Sequence, residues 1–447
     1  MNKKLITILL IVILIFQALA ISYVANELLC CIVFVLSILS RKKGETFSIY
    51  DVFLFTEFFF CFDIIFGDIF GLYDLHSFEH FGQIDTFNDK ELITSFKILS
   101  FFQAGIVLSW LWNNKHTQVD IKQRVRFSNE GRKLCLILFY IMFIPACAAK
   151  AIIVYSAMVY GYVESIQLGE LVGSNIYVYL GSALFEVISA FCFYLAVDKD
   201  EFKRLALLYA IPSIMLLFTG QRGPGIVTII AIIWLYNKYV QKVNFKYVAI
   251  LGVGAVILLP LIGQWRGDSS ELVTNSALGW VSHFFFSQGM SFNVIPFTVR
   301  YLDTFTNKVP FLFGYLWDLF HPTQAYTIDS IVDGNYLAYH LAYNAYGDTF
   351  FLGHTMGTSL IAELYELAQG YYILMLPLSF FIMNFTTYLS NNMYKNPFLF
   401  VIGIEYMMCF IYSPRDSIGK VLSFTIIYTI VFTLLMYLLF KKKTAHE

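Results

Sequence analysis

Charged residues make up only 14% of this 447-residue chain, too few for an ordinary water-soluble domain. No phosphate-cradling loop of the P-loop type and no Gly-x-Gly-x-x-Gly fingerprint is present, so cytosolic nucleotide chemistry is set aside. The net charge of −1 says nothing about nucleic acid, but no basic cluster has the interleaved aromatics of such a binder, so no nucleic-acid partner is expected. Cysteine is sparse: Cys30, Cys31, Cys61, Cys135, Cys147, Cys192 and Cys409 all fall in apolar segments without metal-ligand spacing. They read as small hydrophobic packers, and neither a metal nor a cofactor is expected.

What is abundant is apolar: 58% hydrophobic residues, with 46 phenylalanines and 30 tyrosines. Apolar runs of about 18 residues recur, each long enough to cross a bilayer as a helix. The fold class that follows is an all-α polytopic membrane protein of about 12 transmembrane helices with one long, partly helical periplasmic loop. The expected helices are Leu5–Tyr23, Glu27–Ser40, Ile49–Phe70, Ile93–Trp112, Leu134–Tyr155 and Asn175–Val197. Leu205–Thr219, Ile226–Val240, Tyr247–Ile262, Gly370–Leu389, Phe398–Ser413 and Val421–Phe440 complete the set. The first run has no small-x-small cleavage site and leads straight into the second, so it reads as a retained helix. Lys and Arg collect in alternate loops, from Lys3 and Lys4 to Lys441–Lys443, which places both N and C termini in the cytoplasm. Three parts result: an N-terminal transmembrane bundle (1–263), a long periplasmic loop with an interfacial helix (264–369) and a C-terminal transmembrane bundle (370–447).

The loop between Gln264 and about Met356 stays outside for roughly ninety residues, and loops of that length are usually functional. Its aromatics, among them Trp265, Trp280, Tyr315, Trp317, Tyr326, Tyr336, Tyr339, Tyr343 and Tyr346, have two readings. They form the belt that Tyr and Trp make at any membrane interface, or they line a groove for sugar rings.

Of nine arginines, four lie on the outer side, where positive residues are otherwise rare: Arg222, Arg266, Arg300 and Arg415. Three of them sit in Gly/Pro-punctuated turns, "TGQRGPG", "GQWRGDSS" and "YSPRDSIGK", and Arg300 lies in "VIPFTVRYLD". Such turns bring backbone N–H groups close to a ligand, and the arginine fork suits phosphate. The picture is an anionic head group held at the outer face; lipid-borne pyrophosphate fits its charge and depth. Structural salt bridges such as Arg266–Asp268 or Arg415–Asp416 are the alternative for each residue.

The outer loop, "TGQRGP" at a helix-pair tip, "FFFSQGMSFNVI" and "GTSLIAELYE" together resemble the Wzy-type O-antigen polysaccharide polymerases. The element Gly357 to Tyr365, Gly-Thr-Ser-x-Ile-Ala-Glu-x-Tyr, is the most specific of these. The resemblance implies a metal-independent membrane glycosyltransferase of the bacterial inner membrane with its site facing the periplasm. A glycan on undecaprenyl pyrophosphate passes to a new lipid-linked repeat unit, so undecaprenyl-pyrophosphate-linked oligosaccharides serve as donor and acceptor, and a chain-length regulator protein is a family partner. On that resemblance Arg222, Arg266, Arg300 and Arg415 are the pyrophosphate ligands. Glu363, His354 and Asp268 are the candidate bases; His283, His321 and His340 are further outer histidines. Gln221, Gln288, Ser291 and Tyr365 are the expected sugar contacts.

Other signals are weaker. "DKD", Asp198–Asp200, resembles a nucleotide-sugar metal motif but occupies a short cytoplasmic loop and is rejected. Lys150 and Glu186 lie at similar depth and read as a buried pair. Glu57 and Asp68, eleven residues apart, share a helix face and keep a transport reading open. An O-antigen ligase and a lipid-linked oligosaccharide flippase remain alternatives, although no half-to-half repeat favours the flippase.

Overall fold

The protein is described from a computed structural model, which covers residues 3–41, 47–80, 83–113, 127–160, 176–196, 198–219, 222–244, 246, 252, 254 and 277–440. Chain packing divides it into two compact units. One comprises residues 1–115, 276–388 and 409–420; the other comprises 116–275, 389–408 and 421–447. Residues from 276 onward, placed by sequence in a separate loop, therefore pack with the first helices.

In the first unit, α1 (Lys3–Leu19) and α2 (Tyr23–Leu39) precede α3 (Ile49–Glu57) and α4 (Asp63–Ile69). A five-residue π turn, Phe58–Phe62, joins α3 to α4, so the expected helix Ile49–Phe70 carries one wide coil in its middle. Its start is set by a capping box: Ser48 Oγ accepts from the Asp51 amide and Asp51 accepts from the Ser48 amide. A hairpin, β1 (Ser77–His80) against β2 (Gln83–Thr86), departs from an all-helical fold; Ser77 faces Thr86 across it. A second capping box, Asn88 with Glu91, opens α5 (Asp89–Trp112). Helix α5 packs on α2, and Tyr50 stacks on Trp110 at 4.9 Å.

The second unit holds α6 (Asn129–Tyr160), α7 (Ile176–Leu195), α8 (Lys199–Met215) and α9 (Arg222–Tyr239). Helix α6 packs along α7, with Phe139 against Phe185 at 5.3 Å. Arg132 reaches Glu201 at 2.5 Å. Lys150 is the charged neighbour of Glu186, as the sequence suggests. Asp198 caps α8 by accepting from the Asp200 and Glu201 amides, which gives "DKD" a structural role. Lys238 binds Ser390 and Asn391, and the Tyr239 hydroxyl donates to the Ser390 carbonyl.

The remaining helices are α10 (Ala277–Gly289), α11 (Val294–Tyr301), α12 (Gly314–Asp318), α13 (Ile328–Val332), α14 (Leu337–Tyr346) and α15 (Leu360–Leu367). Then follow α16 (Met375–Asn392), α17 (Pro397–Tyr412) and α18 (Phe424–Phe440). Gly105 of α5 lets α16 approach closely: a Cβ there would stand 2.2 Å from the Leu376 carbonyl oxygen. Small residues at such contacts are how membrane helices pack. Among the described residues, four helical segments are long and apolar enough to span a membrane, Asp89–Trp112, Asn129–Val159, Lys199–Thr219 and Tyr372–Lys395, and shorter apolar helices accompany them. Every expected helix meets a helical segment except Tyr247–Ile262, of which only Gly252 and Gly254 are among the described residues.

The π turn also corrects the shared face of Glu57 and Asp68. A wide coil rotates everything beyond it relative to a regular helix. Asp68 instead takes the Tyr23 hydroxyl at 2.6 Å, while Glu57 is fully enclosed.

Candidate functional site

Helix α15 begins in the Gly-Thr-Ser element, and a distant turn completes its first coil. Ser359 is the N-cap, its hydroxyl accepting from the Ile361 amide at 3.2 Å. The Leu360 amide, which no helical carbonyl reaches, donates to the carbonyls of Ser413 at 2.9 Å and Asp416 at 3.1 Å. The turn "SPRDS" is thereby fixed against the start of α15.

That fixation brings Ser417 to Glu363. Ser417 Oγ donates to Glu363 Oε2 at 2.8 Å, and Thr358 Oγ1 donates to Oε1 at 3.0 Å. Glu363 is 2% exposed. Its pKa is pushed up from 4.5 to about 8: burial is the main cause and nearby Asp416 adds to it. The two hydroxyls and Lys420 pull the other way and do not prevail. A carboxyl so placed changes charge near neutral pH.

Lys420 closes the turn by pairing with Asp416. Burial works to lower the lysine pKa, but the Asp416 carboxylate outweighs it and the net direction is upward. Gly419 permits this course, since a Cβ there would stand 2.4 Å from the Leu312 carbonyl oxygen. The Tyr315 phenol is raised by burial and then by Asp416 and Glu363. Two carboxyls, an ammonium and a phenol thus converge on one turn.

Arg415, on the same turn, donates from Nη1 to Gln288 Oε1 at 2.7 Å and lies 5.5 Å from the Phe60 ring centroid. The structure therefore joins Arg415 to "SQGMS" at the end of α10. Ser291 turns its hydroxyl back onto the Gln288 carbonyl at 2.9 Å, a local contact within that segment.

Arg300 is placed among carboxylates. Its Nε and Nη2 bind Glu91 at 2.8 and 3.0 Å, its Nη1 binds both Asp85 oxygens at 2.9 and 3.0 Å, and Nη2 also meets the Thr86 carbonyl at 2.5 Å. The Glu91 hydrogen bonds are the main reason its pKa is raised; Asp85 adds to them and burial opposes. All three guanidinium nitrogens are engaged, so Arg300 fastens α11 to the β2–α5 junction and has no fork to offer pyrophosphate.

The other expected residues are placed as follows. Tyr365, two positions from Glu363 and so on the opposite side of α15, packs beside Gly370, where φ is +80°. His354 is half-buried in the segment after Gly353. His340 is buried against Phe311 at 5.0 Å, and burial lowers its pKa to about 4. His321 stacks on Trp317 at 3.9 Å. Arg222 opens α9, but its side chain, like that of His283, is outside the described set. Gln221, Arg266 and Asp268 also lie outside the described residues. Of the nine aromatics read as an interfacial belt or a groove, Tyr326, Tyr339, Tyr343 and Tyr346 pack into a small core with Ile331, Ala342 and Phe350.

Sequence reasoning missed Thr358, Ser417 and Lys420; outside this site it also passed over the buried Asp63. Thr358 and Lys420 lie within segments singled out for other residues; Asp63 is a carboxylate in an apolar run, the signal used for Glu57.

Among comparisons with known proteins, a family model described as O-antigen polysaccharide polymerase Wzy matches residues 3–446. No curated protein and no solved structure matches the chain.

Proposed function

We propose, from the premise that this chain belongs to the O-antigen polysaccharide polymerase Wzy family, that it lengthens a lipid-linked glycan at the periplasmic face of a bacterial inner membrane. Family membership implies polymerising glycosyltransferase activity on lipid-linked repeat units. In our reading the donor is a glycan on undecaprenyl pyrophosphate and the acceptor a single lipid-linked unit. About twelve helices span the membrane with both termini inside.

Glu363 carries the proposal, as a carboxyl with a pKa of about 8 held between two hydroxyls beside a cationic turn. The acceptor hydroxyl attacks the anomeric carbon of the donor. Its proton passes to the Thr358 hydroxyl, the more open of the two, whose own proton moves to Glu363. As the new C–O bond forms, the bond to pyrophosphate breaks and the lipid pyrophosphate leaves. Its charge is met by Arg415 and Lys420. Asp268 and His354 are the other candidate bases.

Lipopolysaccharide gels of a deletion strain, complemented with wild type or Glu363→Gln, test this. Core bearing one repeat unit in the deletion and in the Glu363→Gln strain is the expected result. Core without any repeat would point to a flippase or ligase and overturn the reading.

A further inference from the structure

Tyr315 lies in the short helix α12, and three contacts fix the segment that carries it across α15. The Phe311 amide donates to Glu366 Oε2 at 3.1 Å, and Asn307 Nδ2 donates to Glu366 Oε1 at 2.9 Å. Glu366 stands three positions after Glu363, on the same side of α15. The Leu312 carbonyl presses on Gly419, where a Cβ would stand 2.4 Å from its oxygen. The turn that holds Ser417 and Lys420 therefore lies against the same segment. Tyr315 follows Leu312 by about one coil and so comes back to the side that meets this turn. Its electrostatic neighbours agree, since both Asp416 and Glu363 act on the phenol.

Unlike the carboxyl of Glu363, this phenol can be reached. Tyr315 is half-buried, and its hydroxyl, which carries no hydrogen bond among the described residues, is not enclosed. The Lys420 side chain beside it is 43% exposed. Burial nevertheless acts on both the phenol and the ammonium. Side chains that are open to solvent and yet surrounded by protein line a recess rather than a flat surface. The ring is set by aromatic packing: Tyr336 meets it edge to face at 4.7 Å, and Tyr339 meets Tyr336 at 5.4 Å. Held well above its ordinary pKa, the phenol stays neutral, so it can donate and accept but cannot serve as the base. A ring face with a neutral hydroxyl at its edge suits a sugar, whose C–H groups meet the face while its hydroxyls need partners. A phosphate alone would use Lys420 and gain nothing from the ring.

We infer that Tyr315 is a specificity-determining contact for the acceptor: its ring stacks on the sugar that carries the attacking hydroxyl, and its phenol shares a hydrogen bond with a neighbouring hydroxyl of that sugar. The inference rests on the polymerase reading and deepens it, adding the acceptor sugar to the carboxyl, hydroxyls and cations of the same turn. Tyr336 and Tyr339 then serve behind the contact as its support.

The test uses the purified full chain in lipid nanodiscs, with lipid-linked repeat units extracted from a strain lacking it as substrate. Two competitors are compared: the repeat-unit glycan released from its lipid by mild acid, and undecaprenyl pyrophosphate. Tyr315→Phe removes the hydroxyl alone, and Tyr315→Leu removes the ring. Tyr315→Phe is expected to raise KM about three- to tenfold, the loss of one neutral hydrogen bond, and Tyr315→Leu to raise it further, with kcat within about threefold. Inhibition by the glycan should weaken in parallel, while inhibition by the sugar-free lipid pyrophosphate stays unchanged. Tyr315→Phe should melt at or above the wild-type temperature, since no hydrogen bond within the described fold is lost. An unchanged KM in Tyr315→Phe overturns the contact. So does an equal loss of affinity for the sugar-free competitor, because Tyr315 would then act only through the turn that carries Lys420. Should Tyr315→Leu misfold, Tyr315→Phe alone carries the decision. If wild type binds the lipid-linked unit without polymerising it, the functional reading fails, and glycan binding to wild type against Tyr315→Phe still decides the contact.

Discussion

Replacing Glu363 with glutamine keeps the size of the side chain and one acceptor oxygen for Thr358 or Ser417, and removes its ability to take a proton. A positioned general base contributes about 10²–10⁴-fold, or roughly 3–5 kcal/mol of barrier, so chain growth should fall by at least that lower factor. The pH dependence is sharper evidence. A base must be ionised, and with its pKa near 8 only about a tenth of the wild-type protein is competent at pH 7. The rate should therefore climb about tenfold between pH 7 and 9 and level off. Stability moves oppositely. Because the folded pKa is raised from 4.5 to about 8, the carboxyl's contribution is complete below pH 4.5 and is lost as pH rises through 8. At high pH that loss is of order 5 kcal/mol at about 1.4 kcal/mol per unit. Glu363→Gln escapes it and should melt above wild type at pH 9. The assay is extension of radiolabelled lipid-linked repeat units by purified protein from pH 6 to 9.5, resolved on gels, with thermal unfolding alongside. A wild-type profile flat over that range, or a Glu363→Gln rate above a tenth of wild type, would refute the argument.

Thr358→Val should fall nearly as far as Glu363→Gln in the same assay, whereas Thr358→Ser, which keeps the relay hydroxyl, should retain most activity. Arg300→Ala leaves Asp85 and Glu91 without their shared partner and should cost about 2–4 kcal/mol; thermal melting and membrane abundance would show it, and activity per folded molecule should be preserved. Gly314→Ala would place a Cβ 1.9 Å from the Asn335 carbonyl oxygen, so it should reduce folded protein severely, by limited proteolysis of the outer segment, while Asn335→Ala, losing three contacts to residues 308 and 309, should be milder. Arg222→Lys keeps charge but not the fork, and should lower polymer length on gels without changing insertion.

How far the sequence reaches depends on the range of the interaction. The start of α3 and the end of α5 are legible from the apolar runs, whereas the start of α5 at Asp89, four residues before the expected Ile93, is set by the Asn88–Glu91 capping box. The π turn is not legible: Phe-Phe-Phe-Cys-Phe is apolar on every face, and over one coil a wide period leaves no mark in such a run. Glu363 stands out within its motif, but Ser417, 54 positions later, is found only by folding. Arg300 misleads for the same reason, since Asp85 and Glu91 lie more than 200 positions away. The tyrosines of the outer segment announce aromatic surface without saying whether it faces a sugar or itself; in the fold Tyr326, Tyr339, Tyr343 and Tyr346 pack into a core of their own.

The turn at Phe58–Phe62 makes chain length a variable in its own right. Side-chain exchanges among its five residues leave the wide coil in place, but removing any one of them would let α3 run into α4 as a regular helix and swing Asp63 about 100° around the axis. The orientation of that carboxyl is thus counted rather than encoded, like the thread of a screw. An insertion or deletion there would re-aim a buried carboxyl while the composition of the segment stayed almost the same.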